Sequence, residues 1–246
     1  MPFNWQDAHS RYRIAVFGSA GGIGSAFVEA LATRPGVARV LAYSRTAAAS
    51  THPKVDRRSV DIRSDESLEA AATAVEDALD IVIVATGTLH SESYGPERRI
   101  SEVSGDAMLE LYRINTVAPA LIAKHFLPRL ARDRRTIFAA LSARVGSITD
   151  NRLGGWTSYR ASKAALNMVL KTFAIEHGRR RKESIVVGLH PGTVDTGLSK
   201  PFSGNVPDGK LFTPAQSANY LIDVIDGLEP EDSGGFFAWD GQRIEF

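Results

Sequence analysis

Five short apolar runs, each closing on a cluster of small or polar residues, constrain this chain more than any other feature of it. They are RIAVFG from Arg13 to Gly18, RVLAY from Arg39 to Tyr43, DIVIVA from Asp80 to Ala85, RTIFAAL from Arg135 to Leu141 and SIVVGLH from Ser184 to His190. DIVIVA shows no polar alternation, the pattern of a parallel strand covered on both faces. Between the runs, and after the last of them, stand stretches with helical apolar spacing: Ser25–Thr33, Ser64–Leu79, Ser104–Asp133, Trp156–Lys171 and Thr213–Gly227. Asp56–Ile62 and Gly235–Trp239 read as further strands. This alternation predicts an α/β fold, a doubly wound, mainly parallel sheet of about seven strands with helices on both faces. Such sheets bind ligands at the carboxyl ends of their strands, so the chemistry belongs in the clusters that follow the runs.

Ser64 is the expected N-cap of its helix, and Thr213 that of the last helix, with Pro214 in its first turn. Ser104–Asp133 carries Asn115 in its middle, and Pro119 is expected to bend it. Leu89–Ile100 reads as a polar loop, and Lys200–Phe212, rich in Pro and Gly, as a lid. With no repeat or linker, residues 1–246 are expected to form one domain, 1–12 being a short N-terminal extension.

Lysine and arginine number 29 against 28 acidic residues, and a net charge of +1 gives no electrostatic reason to bind nucleic acid or anionic lipid. The basic runs Arg132–Arg135 and Arg179–Lys182 read as solvated helix ends rather than binding patches. The chain has no cysteine, which excludes disulfides, thiolate metal sites and cysteine nucleophiles. His90 and His190 have no second ligand at a usable spacing, so no metal is expected. No signal-like core and no apolar run near the ~18 residues of a membrane span is present, and a soluble cytoplasmic protein without a membrane partner is the expectation.

Glycines between a strand and a helix let the backbone approach a pyrophosphate resting on the helix amides. Gly18, Ser19, Gly22, Ile23 and Gly24 stand at such a place, although G-x-x-x-G-x-G departs from the common G-x-G-x-x-G. About 20 residues further on, where a NAD-binding unit carries a carboxylate for the adenosine ribose, this chain has Ser44 and Arg45. A carboxylate repels a 2′-phosphate and a guanidinium pairs with it, which favours NADP(H) over NAD(H). Asp61, with Ile62, stands where an adenine amino group can be met, and Ala85, Thr86 and Gly87 allow close approach of a cofactor. Tyr159 and Lys163, at i and i+4, project from one helix face. A lysine charge favours the phenolate, so Tyr159 can act as acid to a carbonyl or base to an alcohol. With six tyrosines in the chain, a Y-x-x-x-K pair arises easily by accident, and it gains weight only because every candidate lies at a strand end.

From about Arg13 to Trp239 the chain resembles a classical short-chain dehydrogenase/reductase, and the phrases DNRLGGW and YRASKAALN resemble its C-factor-like, carbonyl-reductase-like branch. The matching residues are Gly18, Gly22 and Gly24 of the cofactor loop, Asp61, Asn115, Tyr159 with Lys163, and Pro191-Gly192 with Val194 and Thr196 beside the nicotinamide. The resemblance implies a Rossmann-type fold and hydride transfer between NADP(H), or alternatively NAD(H), and a small carbonyl or alcohol substrate. It assigns the proton to Tyr159, the ribose hydroxyls to Lys163, a water to Asn115, and a homodimer or homotetramer to the assembly. The sequence departs from the pattern in three places: Phe17 replaces the opening threonine, Ala85-Thr86-Gly87-Thr88 replaces N-N-A-G, and Ala143 stands in the serine slot with Ser142 one place early. A bulge at the strand end is expected to turn Ser142 inward, with Ser147 or a water as the alternative. Leu89, Tyr94, Trp156, Leu198, Phe202 and Phe212 are candidate walls of an apolar or aromatic substrate pocket. The competing reading is an NADP-binding signalling protein with little turnover.

Overall fold

A computed structural model describes residues 3–46, 52–201 and 209–246. Seven parallel strands form one sheet in the order β3-β2-β1-β4-β5-β6-β9. They are β1 (Tyr12–Phe17), β2 (Val37–Ser44), β3 (Val55–Ser59), β4 (Ile81–Val84), β5 (Thr136–Leu141), β6 (Ser184–His190) and β9 (Phe236–Ala238). The order reverses between β1 and β4, which opens a crevice at the carboxyl ends of those two strands. Alternate residues of each strand feed two separate cores. Ile14, Val16, Ile81 and Ile83 meet α1 (Gly22–Ala32) and α6 (Pro214–Gly227) on one face. Ala15, Phe17, Val82 and Val84 meet α2 (Asp65–Thr73), α4 (Ala118–Phe126) and α5 (Thr157–Gly178) on the other. The unbroken apolarity of DIVIVA follows from this double burial.

The caps read from the sequence form as expected. Ser64 accepts from the Ser67 amide, and Thr213 closes a capping box with Gln216. The second helix is shorter than its pattern: α2 ends at Thr73, because the chain must turn there to bring Val75 and Leu79 into the core ahead of β4. The long helix breaks at Asn115 and not at Pro119. α3 (Gly105–Tyr112) passes into a π-helical turn, Arg113–Val117, and the helical backbone continues into α4 with Pro119 as its second residue. Of the segment 200–212, residues 202–208, including Phe202, lie outside the described residues. Leu211–Phe212 forms a two-residue strand, β8, paired with β7 (Thr193–Val194).

Arg135 corrects the expectation of a solvated basic run. It is buried, and its Nη2 donates to the carbonyls of Ile225, Asp226 and Leu228 at 2.8, 3.0 and 2.6 Å, closing the carboxyl end of α6. Its guanidinium also lies 4.6 Å from the Phe3 ring centroid, while the Phe3 amide donates to Asp226 Oδ1. The N-terminal segment is therefore core, since Phe3 and Trp5 pack in the α1–α6 face. Arg135→Met is expected to lower stability by about 2 to 3 kcal/mol, the scale of charge-assisted hydrogen bonds lost with their carbonyls left buried. An unchanged urea midpoint in chemical denaturation would show that those carbonyls are satisfied without it.

Candidate active site

β1 ends at Phe17, and the chain reverses at Gly18 with φ 81°. A side chain there would collide with the Ala85 carbonyl at 2.8 Å, and one on Gly24 with the Gly18 carbonyl at 2.1 Å, so the loop packs against β4 and α1 at a separation only glycine permits. Phe17 stands where the resembling family has threonine because it is core: it stacks on Tyr43 at 4.6 Å and meets Phe126 edge-on. The loop borders a cleft of about 1020 Å³ running along the carboxyl edge of the sheet.

Gly18, Ser44, Arg45, Asp61, Ile62, Ala85, Thr86 and Gly87 line that cleft. The Ser44 hydroxyl donates to the Thr46 carbonyl, and the neighbouring Arg45 is exposed. Asp61 Oδ1 accepts from the Arg63 amide and holds the turn before α2. The sequence reading missed Arg63 and Glu110, which line the same cleft and form an ion pair across it; 47 positions apart, they carry no sequence signal of their meeting. Gly22 lies against Thr196, whose methyl would be 2.8 Å from a Cβ at Gly22, so the Pro191–Thr196 segment reaches the glycine loop. Ile23 packs at the edge of the core, Val194 pairs in β7, and the Pro191 carbonyl accepts from Ser217. The hydroxyls of Ser19 and Thr86 are buried without a hydrogen-bond partner. Buried polar atoms are rarely left so, and together with the glycine cradle these two fit a phosphate- and hydroxyl-rich ligand such as a nicotinamide dinucleotide.

Asn115 is fully buried in the π turn. Its Oδ1 accepts from the Thr88 amide and its Nδ2 donates to the Thr88 carbonyl, each at 2.9 Å, and Nδ2 also donates to Ser162 Oγ. It thereby holds the turn after β4 to α5. A Cβ on Gly87 would lie 3.4 Å from Asn115 Oδ1 and 3.5 Å from Lys163 Nζ, so the three positions converge. Lys163 is 3% exposed and donates to the Leu141 carbonyl at 2.9 Å. Tyr159 is 8% exposed, with Lys163 Nζ 5.9 Å from its ring centroid.

The electrostatics reverse the direction expected for Tyr159. Burial pushes the phenol up from its ordinary value, and burial pulls Lys163 down to about 8. Desolvation penalises the charged form of each group, the phenolate and the ammonium alike. Tyr159 thus keeps its proton at neutral pH.

Ser142 also differs from expectation. β5 and β6 stay in register through Leu141 and Leu189, and the Ser142 amide continues the ladder to the Leu189 carbonyl, so no bulge turns the residue inward. Its hydroxyl donates to Asn167 Oδ1 at 2.7 Å, within the buried contact with α5. Ala143 faces the other way, into an apolar cluster of Tyr159, Leu89, Leu111, Tyr94, Val145, Trp156 and Leu198. Ser147 Oγ is held by the Asp150 amide. Phe212, read as a wall, packs instead on Tyr220 and Trp239. Among the described residues no three His, Asp or Glu side chains gather as metal ligands, and no helix is long and apolar enough to cross a membrane.

Residues 13–206 match the family model for short chain dehydrogenases. The chain belongs to that family. A 1-hydroxy-2-glutathionyl-2-methyl-3-butene dehydrogenase of Rhodococcus sp. (strain AD45) is 35% identical over 76% of this chain and 78% of its own length. The C-signal protein of Myxococcus xanthus is 34% identical over 59% of this chain and 82% of its own. Among solved structures, an NADPH-bound carbonyl reductase from chicken fatty liver superposes with a TM-score of 0.83 at 27% identity, over 96% of this chain and all of that one. The family member seen here keeps the Tyr159–Lys163 pair of the sequence pattern and lacks a hydroxyl at position 143.

Proposed function

We propose that this short-chain dehydrogenase is an NADP(H)-preferring carbonyl reductase of small apolar or aromatic substrates. One observation carries the reading: Tyr159, Lys163, Asn115 and Gly87 converge at the carboxyl edge of the sheet, beside a cleft that has Arg45 among its lining residues. The bound nicotinamide would supply the hydride, and the chain's residues do the rest. Gly18, Ser19, Gly22, Gly24 and Thr86 would hold the phosphates and riboses, Arg45 the 2′-phosphate, and Asp61 the adenine. Lys163 would hold the nicotinamide ribose hydroxyls, and Asn115 fixes the Thr88 turn beside it. Tyr159, kept protonated by its dry surroundings, donates to the carbonyl oxygen as charge develops there. Leu89, Tyr94, Trp156 and Leu198 exclude water from that oxygen.

The NADPH-bound carbonyl reductase with the same fold supports the cofactor and the direction. The signalling alternative draws on the similarity to C-signal and on the alanine at the serine position. Exposed Val117, Met168 and Ile175, on the outer faces of the helical segments that bear Asn115 and Lys163, support a homo-oligomer. NADPH oxidation over a panel of phenanthrenequinone, nitrobenzaldehyde and diacetyl tests the enzymatic reading, and NADPH binding without turnover on any of them would favour the signalling one.

Tyr159→Phe is expected to keep NADPH binding and lower kcat at least ~10²-fold, since it removes only the proton donor. Arg45→Asp should abolish or reverse the preference for NADPH over NADH, because an arginine–phosphate pair contributes ~1.5 to 3 kcal/mol; dissociation constants for both cofactors measure it. Ser142→Ala should cost about 1 kcal/mol of stability through Asn167 and leave kcat unchanged. Ala143→Ser, which puts a hydroxyl among the residues around Tyr159, should raise kcat towards the ~10²-fold scale of a single oxyanion donor. Steady-state rates of this last pair that ran the other way would return Ser142 to the site.

A further inference from the structure

The helix that carries Tyr159 and Lys163 starts without a cap of its own. Trp156 occupies the N-cap position of α5 at φ 52° and ψ 39°, and its side chain makes no capping hydrogen bond. Left-handed backbone is unfavourable for so bulky a residue, by ~1 to 3 kcal/mol, and persists only where surroundings enforce it. Gly154 and Gly155 before it are left-handed too, at φ 63° and 65°, which is why glycines stand there. The partner that holds this run comes from a different part of the chain, the loop between β4 and α3.

Glu97 is 5% exposed. Both its carboxylate oxygens lie 3.3 Å from the Ser158 amide nitrogen, and the Ser158 hydroxyl donates to Oε1. Its main-chain carbonyl accepts from the Trp156 amide at 2.6 Å, and a Cβ on Gly155 would come within 3.4 Å of that same carbonyl. Among the described residues Glu97 forms no ion pair. A carboxylate buried without a cation is costly unless donors surround it, and here the donors are the first-turn amide, a hydroxyl and the positive end of a 22-residue helix.

The position of this cap gives it a function beyond helix stability. Ser158 immediately precedes Tyr159, and the Trp156 ring meets the Tyr159 ring edge-on at 6.3 Å. The loop that ends at Glu97 also contributes Leu89 and Tyr94 to the apolar cluster around Tyr159, and its other end is held at Thr88 by Asn115. The wall of the substrate pocket is thus tied at one end to Asn115 and at the other to the turn that aims the phenol. The body of α5 does not need this tie, because Leu166, Leu170 and Ala174 hold it on the sheet.

We propose that Glu97 is a positioning residue, a cap lent by the substrate-side loop that sets the first turn of α5 and with it the Tyr159 phenol and the Trp156 wall. The proposal rests on Tyr159 as the proton donor. Misplacement of a reacting group by ~1 Å costs ~10²-fold in rate, so the cap is worth more to turnover than to folding.

The test compares the unaltered protein with Glu97→Leu, Glu97→Gln and Ser158→Ala, using the most rapidly reduced member of the carbonyl panel as probe. Three quantities are read: kcat and KM, the NADPH dissociation constant by fluorescence, and amide exchange of residues 156–160 by mass spectrometry. Glu97→Leu is expected to speed exchange in the first turn by ~10-fold, the scale of a lost cap, and to lower kcat ~10²-fold with NADPH affinity intact. Glu97→Gln keeps an acceptor oxygen for the Ser158 amide and should restore most of kcat, with Ser158→Ala intermediate. Faster exchange with unchanged kcat, in any of the three variants that folds, would reduce Glu97 to an ordinary cap and overturn the proposal. A fall in kcat with no change in exchange would overturn it as well, since Glu97 would then act by another route. No turnover by the unaltered protein on the whole panel is the distinct failure of the proposed function, and it is seen before any variant is compared.

Discussion

The seating of the amino end of α5 on the carboxyl edge of the sheet governs the geometry of everything around it. It is made by the hydrogen bond from the Lys163 ammonium to the Leu141 carbonyl, the last residue of β5. A buried cation needs an oxygen close by, and a parallel strand offers one where its ladder runs out. Gly146 lets the two elements come together, since a side chain there would overlap the stem of Lys163 at 2.7 Å. With that contact made, Tyr159 one turn earlier falls beside the crevice where the strand order reverses. The same dry seat that fixes both groups also shifts both titrations towards their neutral forms.

Much of the fold was legible because burial on two faces leaves a plain mark on composition. DIVIVA and SIVVGLH read as strands and are strands, and Ser64 and Thr213 cap the helices they precede. Elements whose ends are set by distant parts of the chain were less legible. Nothing local in the 64–79 stretch says that α2 must stop at Thr73 to deliver Leu79, and nothing in an arginine run says that one member closes a helix ninety or more residues away. The short pair β7–β8 depends on a contact between segments that show no period at all.

The site divides in the same way. Its glycines and the Tyr159–Lys163 spacing are local patterns, and Gly87, which lines the cleft and lies against Lys163, joins the two. Ser142 shows the limit of such reading. Strand periodicity says that Ser142 and Ala143 point to opposite sides, but only the unbroken register to β6 decides which of them meets Tyr159. The Asn167 acceptor that retains the Ser142 hydroxyl is 25 residues away on another element. Glu97 is equally silent in sequence, an acidic residue in a polar loop whose partner lies 61 positions on.

The π turn at Arg113–Val117 bears on how this chain can change its length. Leu111 serves the pocket cluster, while Ile122 and Phe126 serve the core on the sheet face. On an unbroken α-helix, at ~100° per residue, positions 111, 122 and 126 would share one side within roughly 60°. One surplus residue in the turn re-phases the rod between them, so that its first half looks to the pocket and its second to the sheet. Loops elsewhere can gain or lose residues at little cost, whereas here a single residue is the unit of rotation. Deleting it would preserve the helix and turn its halves towards the wrong neighbours.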